Sequence, residues 1–165
     1  MTKKNLFSNL ACLILIIIVA LVTYLATLHS LPPGIFNDET DIAYEAYSIL
    51  NTGRDQWGNS FPLQYFSGFG GTRLPAIVYW TVPFVGLFGL NPEAVRMAGV
   101  VAGIFVLTGL FLLLRRFFSP GLSTITTLVL IFTPWFWGLT RQTNEAVVAL
   151  VFVVWGLYTL MLSKD

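Results

Sequence analysis

A chain of 165 residues with 56% hydrophobic side chains, 10% charged ones and a mean hydropathy of +0.76 lies far from soluble domains, in which about a quarter of residues are charged. A net charge of +1, with no run of more than two Lys or Arg, excludes the basic surface on which nucleic-acid binding depends. The single cysteine, Cys12, excludes an internal disulfide and a cysteine metal cage.

Spans can be laid against the roughly 20 apolar residues that cross a hydrocarbon core of about 30 Å. Residues 10–28, 97–114, 122–139 and 146–162 each qualify, so the predicted fold is all-α and integral to a membrane, with about four transmembrane helices. Lys3 and Lys4 precede the first of them. Its apolar run is too long for a signal peptide, and its end lacks a small-x-small cleavage site, so it reads as an uncleaved anchor with a cytoplasmic N-terminus. His29 follows at the membrane exit, where a lone histidine reads as an interfacial side chain rather than a metal ligand.

Residues 29–96 form an external loop too long for a passive connection. Its opening, Leu31-Pro32-Pro33-Gly34-Ile35-Phe36-Asn37-Asp38-Glu39, sets an acidic pair at the membrane surface, where a carboxylate is solvated, capped or used. Ile42, Ala46, Ile49 and Leu50 then share one helical face while Asp41, Glu45 and Ser48 fall on another. An amphipathic surface helix is therefore predicted, ending at Asn51-Thr52-Gly53, where glycine can take the left-handed conformation. Asp38 stands at the N-cap position of that helix, with Asp41 three residues on. Two roles stay open for Asp38, a helix cap and a general base, and the helix N-terminus favours the ionised form that both require. Glu39 shares the ambiguity.

Turn formers and aromatics alternate from Arg54 to Gly71. Gly68-Phe69-Gly70-Gly71 lacks the spacing and strand-helix context of a phosphate loop, and Trp57, Tyr65 and Phe66 read as interfacial anchors or as stacking surfaces for a sugar or a polyprenyl chain. Residues 75–90 make a fifth apolar segment, short and carrying Pro83 in its middle, which breaks the hydrogen-bond ladder. If this segment does not cross, Lys3, Lys4, Arg115, Arg116 and Lys164 lie inside and Arg54, Arg73, Arg96 and Arg141 outside, so positive charge favours a juxtamembrane helix here. The four spans hold hydroxyls and glycines but no mid-span charge, which argues against a transporter or channel piece. A non-catalytic membrane scaffold is the other alternative.

Several motifs recur in a fixed order: Asn37-Asp38-Glu39, Ala43-Tyr44-Glu45-Ala46, Thr52-Gly53-Arg54-Asp55-Gln56-Trp57-Gly58, Arg73-Leu74-Pro75 leading to Tyr79-Trp80, Phe88-Gly89-Leu90-Asn91, Ala94-Val95-Arg96, and Pro134-Trp135 leading to Arg141. In this set the chain resembles the N-terminal third of the bacterial protein-mannosyltransferase and aminoarabinose-transferase group, membrane glycosyltransferases of fold class C. The resemblance implies a plasma-membrane (inner-membrane) enzyme that moves a sugar from a polyprenyl-phosphate donor to an acceptor at the outer face. It carries the catalytic role to Asp38, as general base on the acceptor with inversion at the anomeric carbon, with Glu39 beside it. It also implies horizontal helices in the first external loop. Partners would be the lipid-linked donor, membrane lipid and a protein, lipid or glycan acceptor. Arg96 and Arg141, at external ends of spans, are candidates for holding the lipid phosphate, and Glu145 for supporting the site or pairing Arg141. The sugar and the cofactor stay unknown: a divalent cation has oxygen ligands available here but no complete set. Aminoarabinose transferases carry an acid and a lysine where Arg73 and Leu74 stand, so their metal contact does not transfer. Relatives in this group continue through many more spans, so the expectation is an N-terminal fragment, inactive alone.

Overall fold

The computed structural model describes residues 3–26, 28–68 and 71–164. Within them the chain order is α1 (Lys3–Leu25), α2 (Asn37–Thr52), β1 (Phe66–Gly68), β2 (Gly71–Arg73), α3 (Pro75–Phe88), α4 (Pro92–Leu114), α5 (Pro120–Ile131), α6 (Pro134–Arg141) and α7 (Glu145–Leu162). Three helices, α1, α4 and α7, are long and apolar enough to cross a membrane, which suits a multi-pass membrane protein.

The span expected over residues 122–139 is not one rod. It divides into α5 and α6, bent by 64°, because the residue before a proline is pushed out of the helical region. Thr133 accordingly sits at φ −70°, ψ 129°, with Pro134 opening α6. Only if the bent pair counts as one span does the number reach four. The span expected from residue 97 also begins earlier. Asn91 caps α4, its Oδ1 accepting the Ala94 N–H at 2.7 Å, and Pro92 supplies the preorganised first position. Arg96 therefore lies inside the helix, not at its border.

The fifth segment is the helix α3, whose 14 residues extend about 21 Å, short of the hydrocarbon thickness. It packs against α2, α4 and α7, and the Trp80 indole donates to the Ala98 carbonyl of α4 at 2.9 Å. Helix α2 ends as expected, with Gly53 at φ 67° and its N–H on the Ile49 carbonyl. Its acidic side was expected to be wet, and it is not: Asp41 and Glu45 are buried along with Ile42, Ala46 and Ile49. What covers them is the segment 54–73, which ends in an antiparallel hairpin pairing Phe66 with Arg73, a small strand element in an otherwise helical chain. Phe69 and Gly70 lie outside the described residues, so the glycine-rich stretch is seen only through its flanks.

The core runs along the inner faces of α1, α4 and α7: Ile16, Ala20, Tyr24, Val100, Val106, Phe111, Val147 and Val151. Lipid offers apolar surface as good as a neighbouring helix, so close backbone approach must supply the association. Gly99 and Gly103 of α4 provide it against α6. A Cβ on Gly99 would stand 2.4 Å from the Thr140 carbonyl oxygen, and one on Gly103 would stand 2.4 Å from Thr140 Cγ2. Gly99→Ala should therefore destabilise the protein by about 1–3 kcal/mol through overpacking, whereas Gly121→Ala, with nothing within 4 Å, should leave it unchanged. Thermal retention of the folded peak in detergent checks the pair, and equal melting of the two variants would refute the packing account.

Candidate functional site

After α1 the chain leaves helical geometry at Ala26 and passes Pro32 and Pro33 before α2 begins. Its carbonyls cannot be met within a helix and must find donors elsewhere. Arg141 donates to the carbonyls of Ala26 (3.0 Å) and Leu31 (2.7 Å), and its guanidinium carbon lies 4.6 Å over the Trp137 ring. Arg96 donates to the carbonyls of Leu28 (3.1 Å) and Gly34 and to both Glu39 oxygens (3.2 and 3.4 Å). Both arginines are 1% exposed. The guanidinium faces assigned to a lipid phosphate are thus taken up inside the protein.

Glu39 was expected beside Asp38 as a surface acid, and it points the other way. Successive helical residues differ by about 100°, which turns Glu39 inward to 1% exposure and leaves Asp38 outside. The N-cap is Phe36, with extended backbone, and the reciprocal half of the cap comes from Glu39, whose Oε2 accepts the Phe36 N–H at 3.0 Å. Neither Asp38 nor Asp41 caps the helix. Asp38 lies in the first turn of α2 instead, where its charge complements the helix N-terminus.

Asp38 instead pairs with Nη2 of Arg73, and its side chain is 67% exposed. The same guanidinium donates from Nε to Asp41 Oδ2 at 3.1 Å, and Gln56 Nε2 donates to Asp41 Oδ1 at 3.2 Å and to the Ser67 carbonyl at 3.1 Å. Gly68 makes room for this knot, since a Cβ there would stand 1.8 Å from Asp41 Oδ2. Below it, Glu45 accepts the Gln56 backbone N–H at 3.1 Å. Burial pushes the Glu45 carboxyl above its ordinary value of 4.5; the Gln56 hydrogen bonds oppose the shift, and the Asp55 and Asp41 charges add to it. Asp55 spends itself on its own loop, accepting from Trp57 N at 3.0 Å and Asn59 N at 2.7 Å. Of the three aromatics expected at an interface, Trp57 and Tyr65 are exposed, while Phe66 is buried edge-on against Tyr79 with ring centroids 5.7 Å apart.

Asp38 and Arg73 open onto a cavity of about 150 Å³ whose other wall is the entry to α7: Gln142, Asn144 and Glu145, with Phe36 at the side. Asn144 caps α7 through Ala146 N at 2.9 Å. Glu145 accepts the Leu74 N–H at 3.0 Å, which ties α7 to the junction of the hairpin and α3. Asp38 and Glu145, 107 positions apart in the sequence, thereby share one cavity. Arg73, Gln142 and Asn144 were not singled out by sequence reasoning for any role there, because nothing in their local pattern marks them. No group of three or more His, Cys, Asp or Glu able to hold a metal ion occurs among the described residues. No family model, curated protein or solved structure matches the chain.

Two outcomes follow from the buried charges. Arg96→Met would leave Glu39 without its cation and the Leu28 and Gly34 carbonyls without this donor, and should cost about 3–5 kcal/mol, part of it regained in Arg96→Met/Glu39→Leu; unfolding in detergent measures both, and equal stability of the single and double variants would contradict the pairing. Glu45 has a folded-state affinity for protons above its unfolded one, so its contribution to stability is complete below pH 4.5 and is lost as pH rises through the folded value. Glu45→Gln keeps an acceptor for Gln56 without the charge. It should melt higher than wild type at pH 8 and nearly with it at pH 4, and a gap that does not change with pH would count against this account.

Proposed function

We propose that this chain is the N-terminal portion of a membrane glycosyltransferase that moves a sugar from a polyprenyl-phosphate donor to an acceptor at the outer membrane face, with Asp38 as general base. The observation that carries the reading is the placement of Asp38: exposed, free of any capping duty, and directed with Arg73 and Glu145 onto a polar cavity beside the entry to an apolar helix. A carboxylate that makes no capping hydrogen bond, is kept ionised by the helix N-terminus and faces a space lined by hydrogen-bonding groups is suited to take a proton.

The chemistry follows from that position. Asp38 accepts the proton of an acceptor hydroxyl or amine as that atom attacks the anomeric carbon, and the bond from carbon to phosphate oxygen breaks to release polyprenyl phosphate with inversion. Arg73, held from behind by Asp41, fixes the direction of the Asp38 carboxylate. Arg96 and Arg141 hold the exit segment in this reading. The α1 N-terminus is cytoplasmic, α5 and α6 count as one bent span to give four, and α3 lies along the outer boundary without crossing.

The bend between α5 and α6 is the feature that favours the rival transporter reading, since broken helices mark substrate pathways in transporters. Phe132, Thr133 and Trp135 at this bend carry no charge, so the break brings no ionisable side chain that could couple to a proton. Asp38→Asn in the full-length parent enzyme, assayed in membranes with a polyprenyl-phosphate sugar, should lower transfer about 10²- to 10⁴-fold while stability stays within about 0.5 kcal/mol. Undiminished transfer would sink the assignment.

A further inference from the structure

The cavity itself carries more information than its acid. Its wall bears two carboxylates, Asp38 and Glu145, and one cation, Arg73, and that cation is already divided between Asp38 and the buried Asp41. Of the other arginines near the exit segment, Arg96 is matched by Glu39 and Arg141 is turned to the Ala26 and Leu31 carbonyls. The balance facing the cavity is negative. A phosphate brought here would meet two like charges in a confined space, and like charges in juxtaposition are strongly disfavoured.

What the wall does offer is a set of hydrogen-bonding groups of both senses. Carboxylates accept, the amides of Gln142 and Asn144 donate and accept, and Phe36 supplies an apolar face. The volume of about 150 Å³ is that of an engineered cavity that admits benzene, room for one ring whose substituents reach the polar wall and the open mouth. Hydroxyls around such a ring are both donors and acceptors, so they suit carboxylates and amides together.

We infer that this cavity seats one uncharged pyranose ring, with its hydroxyls on Asp38, Glu145 and Asn144, and that Glu145 is a specificity-determining residue that turns away acidic sugars. The inference rests on the sugar-transfer reading and deepens it: the ring enters between α2 and α7, and the phosphate of the donor stays outside the wall. Glu145 contributes charge to the cavity while its Oε1 also holds the Leu74 N–H, a bond that a glutamine oxygen preserves.

Binding tests this independently of transfer. The intact protein in nanodiscs, titrated with methyl glucopyranoside, methyl mannopyranoside, methyl glucuronide and inorganic phosphate, is followed by saturation-transfer NMR for the glycosides and by phosphorus line width. The neutral glycosides should bind at least about tenfold more tightly than the glucuronide, as expected for one unfavourable charge contact, and phosphate should not compete with them. Glu145→Gln should narrow the ratio between glucuronide and glucoside several-fold without loss of the neutral ligand, and Asn144→Ala should weaken all glycosides alike. Competition by phosphate, or a ratio unchanged in Glu145→Gln, overturns the inference. Glycoside binding without any transfer from the lipid-linked donor by the full-length parent enzyme would sustain it while sinking the catalytic reading, and transfer by that enzyme without glycoside binding would do the reverse.

Discussion

The structure depends on how the chain's exit from α1 is held. From Leu28 to Gly34 the backbone is outside the helix, and proline at 32 and 33 prevents the helix from resuming. Backbone carbonyls at the edge of a hydrophobic region need donors, and each one left without costs several kcal/mol. Two guanidinium groups from distant helices supply them, Arg96 from α4 and Arg141 from α6. Burying a cation is costly in turn, and Glu39 offsets the cost for Arg96. Arg96, Glu39 and the Gly34 carbonyl therefore fix where α2 starts and how it is rotated. Asp38 faces outward as a consequence of Glu39 facing inward.

That dependence explains why some of the site could be read from sequence and some could not. Asp38 was legible as a functional candidate because an acid after an apolar span and two prolines is costly in any setting. Glu39 has the same surroundings in sequence, and only its pairing with a residue 57 positions away turns it into a structural group. Arg96 and Arg141 looked like interfacial cations for the same reason. Periodicity can say that a charge lies at the end of a span, but the direction in which the side chain is used depends on which carbonyls remain unmet nearby.

The same contrast runs through the fold. Gly53 ended α2 as the left-handed glycine required, whereas the helix expected to be interrupted at Pro83 runs on through it to Phe88. The Thr133-Pro134 step was also visible in the sequence, yet the averaged hydropathy of residues 122–139 concealed it, because hydropathy is indifferent to whether the backbone stays straight. The acidic side of α2 was misread on physical grounds. Asp41 and Glu45 border the apolar stripe in the pattern of a solvated face, and it takes the hairpin, whose strands are three residues each, to bury them. Strands that short carry no alternation to detect.

The charged pairs divide into two sorts by burial, and the division bears on function. Arg96 with Glu39 is buried on both sides, and Arg73 with Asp41 nearly so, with side-chain exposures of 2% and 1% and of 14% and 2%. Separating either strands a charge away from water, so these pairs hold one arrangement. Arg73 with Asp38 is different. One partner is in solvent, where an ion pair contributes about 0–1 kcal/mol, so the Asp38 carboxylate can be drawn to a ligand at little cost while its guanidinium partner stays where Asp41 keeps it. The general base proposed for sugar transfer would have to change partners against a background that does not. In the tangle of acids on α2, Asp38 is the one member built that way, because the loop that buries Asp41 and Glu45 stops short of it.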